Sequence, residues 1–296
     1  MKKLLVFTLL IMSVLSFGQQ PWTRKWKQAY IQSGVSLFRY SRAYDTPAKF
    51  SKPSRSITQL VFTEYGEIGL SNRLMLTLNI PIQLIHSGKF DTAATVIPGQ
   101  GTLVAFGNCY GGLTFKILDK DGFVMSASMG VYGKTAIRNN VTGLQSGYQA
   151  FGYEPMILAG WGSDRHFWSA GVGVNIRTAG YSAQQLLKMQ WGSKIGKRKR
   201  SWFILGLNTC LPLGQKTSAE NLALDGLSTY TYLYPNRQGY VGIDMKWGYQ
   251  NNGWAGWFSL AGGPGWKVGQ AGVFTFSIGK EIDKTKKKPK PGDKSE

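Results

Sequence analysis

Apolar and polar residues alternate with period two along most of this chain. From Leu74 it reads LMLTLNIPIQL, which sets Leu74, Leu76, Leu78, Ile80, Ile82 and Leu84 on one face. Met75, Thr77, Asn79, Pro81 and Gln83 fall on the other. Such alternation specifies a strand between an apolar and a mostly polar environment. Its length, about ten residues, is what a tilted strand needs to cross a bilayer. The pattern recurs through Trp168–Ile176, Phe203–Leu211 and Val241–Tyr249. Twelve such runs are predicted, at 28–40, 57–70, 74–86, 102–117, 122–135, 148–161, 167–177, 185–195, 202–213, 238–250, 254–265 and 271–282.

The connections support the same reading. Short links at Ser71–Arg73, Asp119–Gly122, Gly162–His166, Gly196–Arg200 and Asn251–Gly253 all fall on one side, and the long links 41–56, 87–101, 136–147 and 214–237 fall on the other. Asp-Gly and Asn-Gly are strong hairpin signals. An even strand count places both termini in the periplasm. The predicted fold is therefore all-β, a transmembrane antiparallel barrel of about twelve strands. Two positions interrupt the pattern. Pro81 marks a place where one ladder bond is dispensable. Glu64 falls on the apolar face of its run, so a bulge or shifted boundary is expected there.

The first residues, MKKLLVFTLLIMSVLSFGQQ, combine Lys2 and Lys3 with an apolar run from Leu4 to Leu15. This is a cleaved secretory signal ending at Gly18, too short for a transmembrane helix. The expected organisation is signal 1–18, barrel 19–282 and a basic, disordered periplasmic tail 283–296. No later stretch approaches about 18 consecutive apolar residues, which excludes a helical span. Aromatic residues make up 13% of the chain. Trp22, Trp26, Tyr40, Tyr44, Trp161, Trp168, Trp191, Trp202, Trp247, Trp254, Trp257 and Trp266 lie near strand ends, as interfacial girdles would. A soluble sandwich could use the same residues as core, but the strands are long for one.

Candidate chemistry is sparse. His86 and His166 are the two histidines. His86-Ser87-Gly88 is the one place where an outer-membrane lipid hydrolase could be built, yet no acidic partner stands out. The reading is not an enzyme. No metal spacing is visible, and the glycines at 262–265 precede no helix, so neither metal nor cofactor is expected. Cys109 and Cys210 form no pattern, and whether they pair is left open.

Lys and Arg number 35 against 15 for Asp and Glu, a net charge of +20. This surplus makes a lumen favour anions or neutral solutes. Nucleic-acid binding is not expected in the envelope. By alternation, Lys116, Lys134, Glu154, Arg177, Lys188, Asp244 and Lys246 point inward and are the candidate lumen or ligand residues. Glu67, Glu154 and Asp244 are each expected to have a basic partner, because unpaired buried charge is costly.

The segment Glu64-Tyr65-Gly66-Glu67-Ile68-Gly69-Leu70-Ser71-Asn72-Arg73-Leu74, followed by an alternating strand to Pro81, resembles a hairpin of outer-membrane transporters. These are the phenol-degradation meta-pathway family, related loosely to long-chain fatty-acid channels. Ser71 and Asn72 stand where that motif has Thr and Asp. The resemblance implies a barrel that takes up small hydrophobic or aromatic compounds. The expected function is an outer-membrane channel or transporter for small solutes. Expected contacts are outer-membrane lipids, the barrel-assembly machinery, a small solute, and an envelope protein bound through tail or loops. The alternatives are a non-transporting scaffold or accessory subunit and, on His86, the lipid hydrolase.

Overall fold

The computed structural model describes residues 20–46, 49–51, 55–89, 100–196, 198–214, 233–270 and 272–284. Twelve antiparallel strands form the wall: β1 (Gln28–Tyr40), β2 (Ile57–Gly69), β3 (Leu74–Ser87), β4 (Tyr110–Lys120), β5 (Phe123–Tyr132), β6 (Gly152–Gly162), β7 (His166–Arg177), β8 (Gln184–Ile195), β9 (Ser201–Pro212), β10 (Gly239–Asn251), β11 (Trp254–Gly262) and β12 (Val273–Asp283). Each pairs with the next, and β12 returns to pair with β1 from Gln28↔Asp283 to Phe38↔Val273. Closure satisfies the backbone of every strand without leaving an edge. Short strands Gly101–Phe106 and Gly265–Trp266 extend the wall, while Arg42–Thr46, Lys49–Ser51 and Val268–Gln270 form a small separate sheet. The signal segment 1–18, tail residues 285–296, and the loop centres 90–99 and 215–232 lie outside the described residues.

Burial inverts the order found in water-soluble proteins. Along β3, Met75, Thr77, Gln83 and Ile85 are buried, whereas Leu78, Ile80, Ile82 and Leu84 are exposed. The exposed face continues around the wall through Leu37, Phe62, Leu113, Ile157, Val172, Leu205, Phe258 and Phe276. An apolar belt of that extent needs hydrocarbon around it, so the strands cross a membrane. Two turns carry the dihedrals that their sequences foretell. Asp121-Gly122 has φ of 52° and 82°, and Asn252-Gly253 has 49° and 76°, the paired positive values of a tight hairpin.

Several expectations are corrected. The run at 102–117 is two strands, Gly101–Phe106 and β4, both paired to β3, with Gly107–Cys109 between them outside the ladder. Pro81 stands opposite this break. Its carbonyl accepts the Gly107 N–H at 2.9 Å, but its ring nitrogen has no proton to give back. The Asn108 side chain fills the gap, donating to the carbonyls of Gly133 and Tyr148 at 2.8 and 2.7 Å. Strand β5 stops at Tyr132 and β6 begins at Gly152, both inside the expected bounds. Lys134, expected on an inward strand face, is therefore an exposed loop residue.

No bulge occurs at Glu64: it pairs in unbroken register with Ser33 and with Ile80. Its side chain faces outward and accepts a hydrogen bond from Ser33 Oγ at 2.8 Å. Its outward neighbours along the strand are Phe62 and Gly66, followed by Ile68; Phe62 and Ile68 are exposed to lipid. Glu64→Leu is expected to stabilise the barrel by about 1–2 kcal/mol, since a carboxyl group at mid-bilayer is costly. Urea unfolding in lipid vesicles measures this, and a loss of stability instead would mean that Glu64 has a partner in the membrane plane.

The girdle expectation holds for Trp161, Trp168, Trp191, Trp247 and Trp254, which are exposed on the outer face. It fails for Tyr40 and Tyr44, which are buried, and for Trp22, Trp202 and Trp257, which line the lumen. Both cysteines are free. Reductant is thus expected to leave electrophoretic mobility unchanged, with buried Cys210 labelled by maleimide only after unfolding; a reductant-dependent shift would contradict this arrangement.

Candidate functional site

The lumen is built from the inward face of each strand plus chain segments that fold into it from both ends. The three buried carboxylates among the described residues are each held by a neutral donor and a cation. Glu67 on β2 accepts from the Tyr65 hydroxyl at 2.6 Å and from Arg24 Nε at 2.7 Å. Glu154 on β6, 2% exposed, accepts from the Tyr132 hydroxyl at 3.0 Å and from Lys188 Nζ at 3.3 Å. Asp244 on β10 accepts from Asn208 Nδ2 at 2.8 Å and lies 3.2 Å from Lys246 Nζ, close enough for an ion pair. Full neutralisation is what burial demands of charge. The expected basic partners of Glu67, Glu154 and Asp244 are present.

At the turn end, the segment preceding β1 enters the barrel. Gln20 Nε2 donates to Gln190 Oε1 at 3.3 Å, and Ser126 Oγ donates to the Pro21 carbonyl at 2.6 Å. Trp22 packs edge-on against Phe167 with ring centroids 5.7 Å apart. Arg24 joins the wall at two strands, pairing with Glu67 on β2 and with Glu281 on β12 at 3.0 Å.

At the loop end, parts of 133–151 and 233–238 descend into the opening. Leu144 and Leu233 join a buried apolar cluster with Phe38, Tyr40, Ile57, Val61, Ile85, Leu103, Ala261 and Val273. Arg55, buried, donates through Nη1 to Ser87 Oγ at 3.2 Å and through Nη2 to the Thr142 carbonyl, which fastens the loop to β3. Burial lowers the Arg55 guanidinium to about 10, so it stays charged at neutral pH. The Tyr148 hydroxyl donates to Gln238 Oε1 at 2.6 Å, and its ring meets those of Tyr181 and Tyr234 edge-on. Burial pushes this hydroxyl up to about 12, so it remains a neutral donor. Arg177 stacks over the Tyr148 ring at 4.4 Å.

Described residues line a cavity at each end of the lumen. The turn-end cavity, about 540 Å³, is lined by Trp22, Arg24, Glu67, Phe167, Lys188, Gln190, Trp202, Lys246 and Trp257 among others. The loop-end cavity, about 250 Å³, is lined by tyrosines 40, 110, 132, 148, 234 and 240, by amides including Asn79, Asn175 and Asn208, and by Glu154, Arg177 and Lys188. Among the described residues, Lys188 alone lies on the walls of both.

Of the seven candidate residues, Glu154, Arg177 and Lys188 meet at the loop-end cavity and Lys246 lines the turn-end one. Asp244 lies behind Lys246 as its counter-ion. Lys116 is held by Asp119 at 2.6 Å and borders neither cavity. His86 and Ser87 face opposite sides of β3. His86 Nδ1 meets Thr102 Oγ1 at 3.0 Å on the outer face, and Ser87 is turned inward towards Arg55 and Gly101. That geometry builds no nucleophile–base pair from His86 and Ser87. The sequence reading missed Trp22 and Arg24 as lumen residues; it also missed Tyr148, which it placed at the start of a strand that begins only at Gly152, and Tyr234, which lies in a long link with no strand period.

The shape of the barrel can be set beside known structures. A COG4313 outer membrane channel from Pseudomonas putida F1 superimposes with a TM-score of 0.68 at 9% identity, covering 91% of this chain and 100% of that one. The fold is that of an outer-membrane β-barrel. The translocator domain of autotransporter NalP from Neisseria meningitidis gives a TM-score of 0.47 at 9% identity, over 88% of this chain and 89% of that one. At such identities the likeness concerns the fold alone. No protein-family model matches the sequence, and no curated protein matches it.

Proposed function

We propose that this chain is a selective outer-membrane channel for small solutes, plugged in part from both ends. The observation that carries the reading is the pair of cavities within one closed barrel, with charged and amide side chains on their walls and Lys188 bordering both. A scaffold has no need for such space, and a lumen filled by its own side chains would lack it. The lipid-facing apolar belt and the shared barrel fold support an outer-membrane location. The hairpin at Glu64–Pro81 supports kinship with the phenol-degradation meta-pathway transporters. With Glu67, Glu154 and Asp244 each neutralised by a cation, Arg177 tips the lumen towards anions. A twelve-stranded barrel is narrow, and the segments folded into its two ends exclude large solutes.

Single-channel recording of the refolded protein in planar bilayers, across a salt gradient, tests this. Discrete, small, anion-favouring steps are expected. A silent bilayer from protein shown folded by heat-modifiable gel mobility would overturn the channel and leave the scaffold reading.

A further inference from the structure

We propose that the loop-end cavity is a binding site for a small polyhydroxylated anion, a sugar acid, held by Arg177 at its carboxylate and by amide side chains at its hydroxyls. This deepens the channel reading by naming the substrate class, and it rests on that reading for its biological role only.

The first support is a buried cation that stacks on Tyr148 and Tyr181 but has no counter-ion among the described residues. Arg177 is 7% exposed, and its hydrogen bonds go to neutral carbonyls: Nε to Ser182 at 2.8 Å, and Nη2 to Ser182 and, at 2.8 Å, to Asn236. Its Nη1 has no partner, and among the described residues no carboxylate pairs with it. The other two charged groups of the wall, Glu154 and Lys188, cancel each other. A buried cation is stabilised by an anion, and a carboxylate matches the planar guanidinium.

The second support is a set of unmet amide acceptors among the residues that line the cavity. Asn208 Nδ2 is spent on Asp244, Asn175 Nδ2 on Gln184 at 3.5 Å, and Gln59 Nε2 on Gln83 at 2.6 Å. The carbonyl oxygens of all three side chains, and that of Asn79, have no partner. Asn208 and Gln59 are almost completely buried. Acceptors of this kind require hydroxyl or N–H donors, and each one left dry carries a desolvation penalty. A hydrocarbon would leave them all dry, and a simple aromatic acid would answer Arg177 alone. Several hydroxyls on one small frame answer the set. The tyrosine rings that line the same cavity offer flat apolar faces for the C–H side of such a ring. The cavity, about 250 Å³, admits one such ring and not a chain of them.

The test is calorimetric titration of the folded protein in detergent micelles with D-glucuronate, D-glucose and benzoate. Glucuronate is expected to bind about tenfold more tightly than either of the others, the worth of one charged hydrogen bond. Asn79→Leu, which breaks no hydrogen bond within the protein, should weaken glucuronate and glucose alike. Arg177→Gln should erase the preference for glucuronate over glucose. Because Arg177 also ties two loops, Arg177→Lys serves as the control and should keep that preference. Equal binding of glucose and glucuronate, tightest binding of benzoate, or no saturable binding of any probe would each overturn the proposal. A conducting channel that binds none of them removes the site and leaves the channel, while glucuronate binding to a protein that does not conduct leaves the site and removes the channel.

Discussion

Deleting residues 20–24 together with Glu67→Gln is expected to raise single-channel conductance several-fold while the barrel stays folded. The segment occupies the turn-end mouth through Gln20, Pro21, Trp22 and Arg24, and the wall strands do not need it for their ladders. Removing Arg24 alone would strand Glu67 as a mostly buried carboxylate, at a cost of about 3–5 kcal/mol. The amide at position 67 avoids that penalty and keeps an acceptor for Tyr65. Water then fills the vacated mouth. Conductance measured against the intact protein decides the matter. An unchanged value would place the restriction at the loop end, where Leu144, Tyr148 and Leu233 descend.

Lys188 offers the second large effect because it serves two purposes that can be separated. Lys188→Met leaves Glu154, 2% exposed, with only the Tyr132 hydroxyl, and is expected to destabilise the barrel by about 3–5 kcal/mol. Adding Glu154→Gln removes the orphaned charge and should restore most of that stability. Anion preference is expected to behave differently. The single variant adds net negative charge where the two cavities meet, and the preference falls or reverses. The double variant leaves that point neutral, so the preference returns towards the value set by Arg177. Urea midpoints in lipid vesicles and reversal potentials read the two effects on the same proteins. Full stability in Lys188→Met would show that water reaches Glu154 through the cavity and solvates it.

The alternation at 74–84 was enough to orient β3, because a strand between lipid and lumen must present a different chemistry to each side. Hairpins at Asp121-Gly122 and Asn252-Gly253 were equally plain, since few residue pairs tolerate two positive φ values. Strand number, the side of the short turns, the lipid-facing belt and the need of Glu67, Glu154 and Asp244 for cations all follow from such local rules. Lys134 was misplaced because period two carries on past the end of a strand unless a turn residue interrupts it. Trp22 was assigned to the girdle because a tryptophan near a strand end has the same sequence signature whether it faces lipid or lumen.

What fills the lumen was decided only by the closed barrel. Arg24 and Glu67 are 43 positions apart, and no local pattern joins them. Tyr148, Arg177 and Tyr234 converge from two loops and a strand end. The break at Gly107–Cys109 depends on Pro81 in a neighbouring strand. Alternation records how many environments a strand faces, and it is blind to which distant segment occupies one of them. The sequence by itself thus determined a membrane-spanning barrel with a polar interior. Only closure of β12 onto β1 enclosed an interior that residues 20–24 and the loops could fill, where burial forced Glu67, Glu154 and Asp244 each to find a cation.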